Sequence, residues 1–492
     1  VISRTTVLPR FYLLVFSLLA LLLSFCREDY FSADPTHKLA FSTDTLSFDT
    51  VFTAVGSTTN GFLIFNKQKQ KLNVSSIRLG GGSSSPFRMN VDGISGKEIN
   101  DLEIWANDSL YIFVEVTIDP NDLLTPFIVE DSIMFETNGN LQKVMLRAWG
   151  QNAHFFGPGT PNGFRVGVTA DTTWTNDKPY VIYGRIEVDS LRRLTIQPGC
   201  RIHLHNGALL LVNGSLHVNG GTDTTQQVTF TGTRLERYYD GVPGQWGGIY
   251  FLSASYDNVI TGAVIKNAFF GVRVDSVSVN GKPNLIIGNS IIRDIYDSGI
   301  IGLSTGIVGY NTLIYNCGRH NVQLEYGGQY TFVHCTFANF SNVFINHRTP
   351  ILRIGNYFPI NNNISIFPYT ISNFTNCIVY GSEKEEIKLD DGLTGGDANF
   401  VTNLSRCLVK TERTATDPIF TDCILNPALN DTLFVNAFKR DFRLNNESLC
   451  INAGLSDFQL DLGFTTISLQ TDLLGNSRND GAWDIGCYEF QP

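Results

Sequence analysis

A chain of 492 residues is long for one core, so two domains are the natural expectation. Hydrophobic residues at 43% and charged residues at 17% describe a globular protein and exclude a disordered one. The formal charge of -10 argues against nucleic acid and anionic lipid as partners, and no cluster of Lys and Arg is interleaved with aromatics.

Residues 1–25 read as a signal peptide. Arg4 and Arg10 precede an apolar block running from Phe11 to Phe25, too short for a spanning helix of about 20 residues but suited to a secretory leader. Cys26 follows directly in LSFC, which resembles a bacterial lipobox, although Phe25 departs from the small residue usual before that cysteine. Glu28-Asp29 resembles the export signals of Bacteroidota surface lipoproteins. The resemblance implies acylation of Cys26, a lipidated linker over 26–38, and an outer-membrane lipoprotein at the cell surface or periplasmic face. Contact with the membrane would be through the lipid alone.

From 39 to 151 the pattern is strand after strand: LSFDTVF, GFLIFN, KLNVSSIRL, FRMNV, SLYIFVEVTIDP, DSIMFET and LQKVMLRAWG. Turn signals at Gly80-Gly81-Gly82, Asp92-Gly93 and Asn138-Gly139 separate them, as in an Ig-like β-sandwich. VEVTIDP, SIMFETNG and RAWGQ resemble the closing strands of ASH/Hydin-type Ig-like domains, which implies a spacer or adhesion module.

After FFGPGTPNG (Phe155 to Gly163) the texture changes, and a second domain is expected over 164–492. Its first puzzle is the recurrence of Asn-Gly at Asn206, Asn213 and Asn219, which signals either hairpins or the corners of a winding coil. AVIKN, SIIRD, TLIYN and CTFAN decide between them, because they align without gaps at intervals of 27, 22 and 23 residues. CIVYG and CLVKT fit the same frame. Position one is small (Ala263, Ser290, Thr312, Cys335, Cys377, Cys407) and position three large and apolar (Ile265, Ile292, Ile314, Phe337, Val379, Val409). Both point inward on a strand, and position five (Asn267, Asp294, Asn316, Asn339) turns the chain. Fixed columns at this period require a parallel β-helix, with the Asn-Gly steps as its corners.

LTIQPGCRIHL, GSLHVNGG and QWGGIYF resemble the first coils of right-handed parallel β-helix proteins of the pectate-lyase-like superfamily. The ending DLLGNSRNDGAWDIGCYE, from Asp472 to Glu489, resembles the tail common in bacterial β-helix proteins, with Cys487 in place of the usual Ala. The expected fold is therefore all-β: an Ig-like sandwich followed by a right-handed parallel β-helix with a C-terminal cap. This fold hosts lyases, hydrolases, adhesins and inert scaffolds, so function must come from a site.

Several residues compete for that role. Cys335, Cys377 and Cys407 share an inward column and serve either as small fillers or as oxidisable neighbours. His203, His205 and His217 read as solvent-facing. RTPILR, from Arg348 to Arg353, resembles the RxPxxR pattern of pectate lyases, which implies that Arg348 acts beside the α-proton of a uronate, with Arg353 as its companion. Such chemistry would need calcium between sugar and enzyme, and Asp294, Asp297 and Glu325 are the upstream carboxylates available. Otherwise no cofactor is expected. The acidic segment EKEEIKLDDG reads as a solvated excursion. Arg478, Asp472 and Asp484 are expected to pin the cap. Tyr238, Tyr239 and Trp246 are candidates for an aromatic platform on which sugars stack. The preferred function is an exported, non-catalytic binding or scaffold protein of the cell envelope, whose partner is a polysaccharide or another envelope protein. The alternative is a lyase acting on uronate glycans.

Overall fold

The computed structural model describes residues 30–492 apart from 54–55, 122, 125, 158–164, 361–362, 367–368, 393–397, 428–432, 458, 479–480 and 492. Residues 1–25 and Cys26 lie outside the described residues. The chain divides into two compact units, Val1–Asn152 and Ala153–Pro492.

The first unit packs two five-stranded sheets face to face. One contains Asn60–Phe65, Ser109–Val116 and Phe87–Val91; the other contains Thr45–Phe52, Asn140–Gln151, Phe127–Thr137, Leu72–Leu79 and Glu98–Ile104. Strict alternation makes each strand two-faced. In SLYIFVEV, Ile112, Val114 and Val116 are fully buried, while Tyr111 and Phe113 face out. The unit's named strands pair antiparallel except Asn140–Gln151 with Thr45–Phe52, which run parallel, and an isolated parallel bridge joins Phe31 to Lys71. The strand Glu98–Ile104 is an addition to the expected set. Its sequence EINDLEI buries only Ile99, Leu102 and Ile104, and so lacks the density of apolar residues that marks the others.

The second unit is a solenoid. An eleven-stranded and a seventeen-stranded sheet are built almost wholly of parallel pairs between segments about one coil apart, and each full coil gives one strand to the first and two to the second. Arg201–Leu204, Leu209–Val212 and Ser215–Asn219 form one such coil. The three Asn-Gly steps therefore turn corners of successive parallel strands, as expected. At Gly214 a side chain is impossible, because a Cβ would lie 2.2 Å from the Arg192 carbonyl oxygen. The ladder opens with His154–Phe156, which pairs with Tyr180–Ile182, ahead of the Gly- and Pro-rich segment.

The expected columns are present and buried. Ala263, Ser290, Thr312, Cys335, Cys377 and Cys407 stack in register, and Cys423 extends the column by one coil. A second regularity explains their chemistry. From Asn289 onward, the residue just before each column member is left-handed: Asn289, Asn311, His334, Asn376, Arg406 and Asp422 have φ between 42° and 52°. This single-residue bend leaves the carbonyl before it facing inward. Ser290 Oγ donates to the Gly288 carbonyl at 2.7 Å and Thr312 Oγ1 to Tyr310 at 2.8 Å. Cys335, Cys377 and Cys407 place Sγ 3.4, 3.3 and 3.3 Å from the equivalent carbonyls of Val333, Thr375 and Ser405. The position demands a small side chain with a donor at γ, which Ser, Thr and Cys all supply. All eight described cysteines are free thiols, and burial pushes Cys377 and Cys407 well up.

Arg478 is fully buried in the cap, where its Nη1 donates to Glu489 at 2.6 Å. Asp472 and Asp484, the partners expected for it, accept backbone N–H groups instead, including those of Leu474, Asn476, Asn452 and Phe490. Their carboxylates close turns, and Glu489 answers the charge.

Candidate functional site

The strands Gly248–Phe251, Val272–Asp275, Leu352–Gly355 and Ile387–Asp390, with the first halves of Ile300–Tyr310 and Val322–Val333, form one continuous outward face. Alternation sends Tyr250, Arg273, Ile301, Gln323, Arg353 and Lys388 outward in one column. Asp275, Leu303, Glu325 and Asp390 occupy the next outward positions, with Gly355 between the last two.

Charges on this face are paired with each other. Arg353 Nε donates to Glu325 Oε1 at 2.5 Å, and its Nη1 lies 3.2 Å from Asp390 Oδ2. Gly355 makes this possible, since a Cβ there would come within 2.8 Å of Glu325 Oε2. Burial, the largest influence, works against the charge on Arg353, yet the bond to Glu325 and the negative charges of Glu325 and Asp390 together hold the guanidinium above its ordinary value. Arg273 makes a two-pronged bond to Asp275, at 2.9 and 3.0 Å, and Tyr250 donates to the same carboxylate at 2.5 Å. Ser298 donates to Gln323 at 3.1 Å.

Two expectations change here. EKEEIKLDDG is no solvated excursion, because Ile387–Asp390 is a strand of the coil and Glu386 is buried. Only Ile387 and Leu389 point toward the core, so the charges around them masked the strand. Asp294 is also withdrawn from any cation site. It is fully buried, bonded to Arg293, 3.3 Å from Arg440, and accepts from Asn316 at 3.1 Å. Among the described residues no three His, Cys, Asp or Glu side chains converge as metal ligands would.

Arg348 lies off the face, on the loop 340–351 that precedes Leu352–Gly355, and is exposed. Its guanidinium faces the Asn346 side-chain amide; with that amide turned so that its oxygen points at the guanidinium, Nε and Nη2 each donate to it at 3.0 Å. The loop is latched from below by His347. Asn339 Nδ2 donates to His347 Nδ1 at 2.9 Å, and His347 Nε2 donates to both Glu386 oxygens at 3.1 Å. Burial raises the Glu386 carboxyl above its ordinary value despite the opposing pull of His347.

This latch sets one wall of a cleft of about 480 Å³, lined by Phe269, Tyr296, Asp297, Arg319, Phe344 and Asn346 among others. Phe269 and Tyr296 stack with centroids 5.0 Å apart, and both are largely exposed, at 46% and 58%. Tyr238 reaches the same place by setting its ring edge-to-face with Phe344 at 5.8 Å and with Tyr239 at 5.2 Å. Its turn, Arg237–Gly241, is held firmly: Asn267 Nδ2 donates to the Asp240 and Val242 carbonyls, and the Asp240 carboxylate pairs with Lys266, Arg293 and Arg440. Tyr239 is half-buried under Arg234, whose guanidinium lies 4.0 Å from the ring.

Trp246 does not belong to this platform. It is 1% exposed, packs in the solenoid core, and donates its indole N–H to the Lys266 carbonyl at 2.8 Å. Ala268 is its partner on the next coil, and the indole fills the core. Of the three histidines expected to face solvent, His205 does and His217 is half-buried, but His203 is buried, and its imidazole is pushed down to about 4 by burial. Phe269 and Tyr296 were missed, although a signal existed. Each stands two residues after a position-five turn, Asn267 or Asp294, so the pair is a further column of the same alignment.

No protein-family model and no curated protein matches this chain. Among solved structures it is similar to the ASH/PapD-like domain (PapD-like domain 7) of human CEP192, with 10% identity, 25% of this chain and 90% of that one covered, and a TM-score of 0.18. It is also similar to the catalytic domain of a GH87 α-1,3-glucanase in complex with nigerose, with 9% identity, coverage of 75% and 90%, and a TM-score of 0.20. A family 123 glycoside hydrolase from Clostridium perfringens is 11% identical, with coverage of 23% and 26% and a TM-score of 0.17. At these identities and TM-scores the likeness brings no residue and no activity across to this chain.

Proposed function

We propose that the chain is an exported envelope lipoprotein, anchored through acylated Cys26, that binds a glycan on the solenoid without cleaving it. The observation that carries this reading is the exposed, stacked Phe269–Tyr296 pair at the mouth of a cleft whose other walls offer Asp297, Arg319 and Asn346. Aromatic faces stack on the C–H faces of sugar rings, and the surrounding polar groups bond their hydroxyls. Retention of the full chain on immobilised polysaccharides, lost in Phe269→Ala/Tyr296→Ala, tests the binding. Retention by the double variant equal to that of the parent would refute it. Cys26→Ser should release the protein from membranes; continued retention would end the lipoprotein reading.

A uronate lyase is the second reading, favoured by the outward position of Arg353 between carboxylates of neighbouring coils. Against it, the Arg353 charge is already engaged by Glu325 and Asp390, while Arg348 stands off the face on the loop 340–351. Ultraviolet detection of unsaturated products, with uronate polysaccharides and calcium, decides: product that disappears in Arg348→Ala would make the solenoid an enzyme.

A further inference from the structure

The outward face ends in a second cleft, of about 570 Å³, at the opposite corner of the same coils. Tyr326, Tyr369 and Phe464 line it, together with Val277, Pro283 and Gln329. Tyr369 and Phe464 are 48% and 45% exposed. The cation nearest to it is occupied, for Lys282 Nζ lies 4.9 Å from the Phe464 ring and 3.6 Å from Asp257.

Three strand segments run directly from one cleft to the other. Phe269 precedes Val272–Asp275 and Val277 follows it; Asp297 precedes the segment Ile300 to Leu303 and Ser304 follows; Arg319 precedes the segment Val322 to Glu325 and Tyr326 follows. The second corner is made by left-handed residues, Ser304 at φ 50° and Tyr326 at φ 64°. Asp297 and Ser304 stand seven positions apart, about 20 Å along an extended chain. Between the clefts the floor is apolar, formed by Ile301 and Leu303. Arg273–Asp275 borders it on one side and Gln323–Glu325 on the other. Every arginine on this stretch is matched: Arg273 by Asp275, Arg353 by Glu325 and Asp390, Arg319 by Asp297 at 3.4 Å.

We infer that the ligand is a linear, uncharged oligosaccharide that lies across the coils, parallel to the strands, with one ring on Phe269–Tyr296 and another on Tyr369–Phe464. The inference rests on the glycan-binding reading and adds to it direction, length and charge. Aromatic surfaces at both ends give two stacking sites that a short sugar cannot fill together, so the second site acts at high effective concentration for a long one. Between the clefts, side chains whose charges are mutually neutralised offer hydrogen bonds to hydroxyls and hold no spare cation for a uronate carboxylate.

The test is calorimetry of the mature full chain with neutral gluco-, xylo- and manno-oligosaccharides from disaccharide to octasaccharide, and with uronate oligomers of matched length. Affinity for one neutral series should climb with length until both clefts are reached. Tyr296→Ala and Tyr369→Ala, both at exposed positions and checked by thermal unfolding, should each weaken the longest member by about tenfold, the value of one stacked ring. The shortest member should respond to only one of the two. A longest oligomer that binds Tyr369→Ala as tightly as the parent overturns the spanning mode while leaving glycan binding at the first cleft intact. Tighter binding of uronates than of neutral sugars overturns the charge argument. Absence of binding across all series removes both the inference and the reading beneath it.

Discussion

Glu386→Ala should both destabilise the solenoid and loosen the wall of the first cleft. In the folded chain the Glu386 carboxylate accepts from His347 Nε2 at 3.1 Å, from the Ile351 N–H at 3.2 Å and from the Glu383 N–H at 2.9 Å. His347 and Glu386 side chains are wholly buried, so water cannot simply replace the acceptor. His347 also cannot turn its ring to escape, because Asn339 meets its Nδ1 and is itself held by the Cys317 backbone, donating at 2.7 Å and accepting at 3.1 Å. A buried donor left unpaired costs about 1–3 kcal/mol, and here three donors lose the same acceptor. Collapse of the loop onto the vacated space offsets part of the three losses, which leaves an expected destabilisation of about 3–5 kcal/mol. Urea unfolding of the parent and the variant at neutral pH measures it. Hydrogen exchange at the Ile351 and Leu352 amides reports the local opening, since Leu352 N–H also bonds the Glu386 carbonyl at 3.0 Å. A stability change under about 1 kcal/mol, or unchanged protection of those amides, would refute the latch. Gly381 supplies a cross-check. A Cβ there would stand 2.3 Å from Glu386 Oε1 and 2.6 Å from the Asn339 carbonyl oxygen, so Gly381→Ala should strain the same site.

Trp246→Ala should cost about 3–5 kcal/mol in unfolding free energy, as for other fully buried aromatics, whereas Tyr238→Ala should stay within about 0.5 kcal/mol. Equal stabilities of the two variants would contradict the core position of Trp246. Acidification should weaken the solenoid between about pH 6.5 and 4. His203 and His320 are held down to about 4 by burial, and His334 is pushed well below its ordinary value. Because the unfolded chain binds these protons near the ordinary value of about 6.5, their stability contribution is complete above that pH and is lost as pH falls through the folded values. His203 and His320 would each account for up to about 3 kcal/mol. Denaturant midpoints at pH 7, 5 and 4 measure the loss, and His203→Asn/His320→Asn should flatten it; a parent curve flat over this range would contradict the burial. Arg348→Ala, at an exposed side chain that faces the neutral Asn346 amide, should leave the unfolding free energy within about 0.5 kcal/mol of the parent.

The solenoid was legible in the sequence because its constraint is local and repeats. Each coil must place a small residue, a large apolar residue and a turn at the same offsets, so AVIKN, SIIRD, TLIYN and CTFAN carry the whole argument in five residues apiece. The sandwich was legible for a similar reason, since alternation alone tells which face of a strand is buried. What the columns did not carry was the outward surface. Outward residues answer to partners on other coils, and the distance along the chain between those partners varies with the excursions between strands. Arg353 meets Glu325 and Asp390 across 28 and 37 positions, and the acidic composition around Asp390 hid the strand that delivers it. Trp246 shows the converse: a large aromatic near a Gly-rich turn looks exposed in sequence, but its partners, Ala268 and the Lys266 carbonyl, lie on the following coil. Coil geometry is thus written in the spacing of single strands, whereas the arrangement of charge and aromatic surface exists only once the coils are stacked.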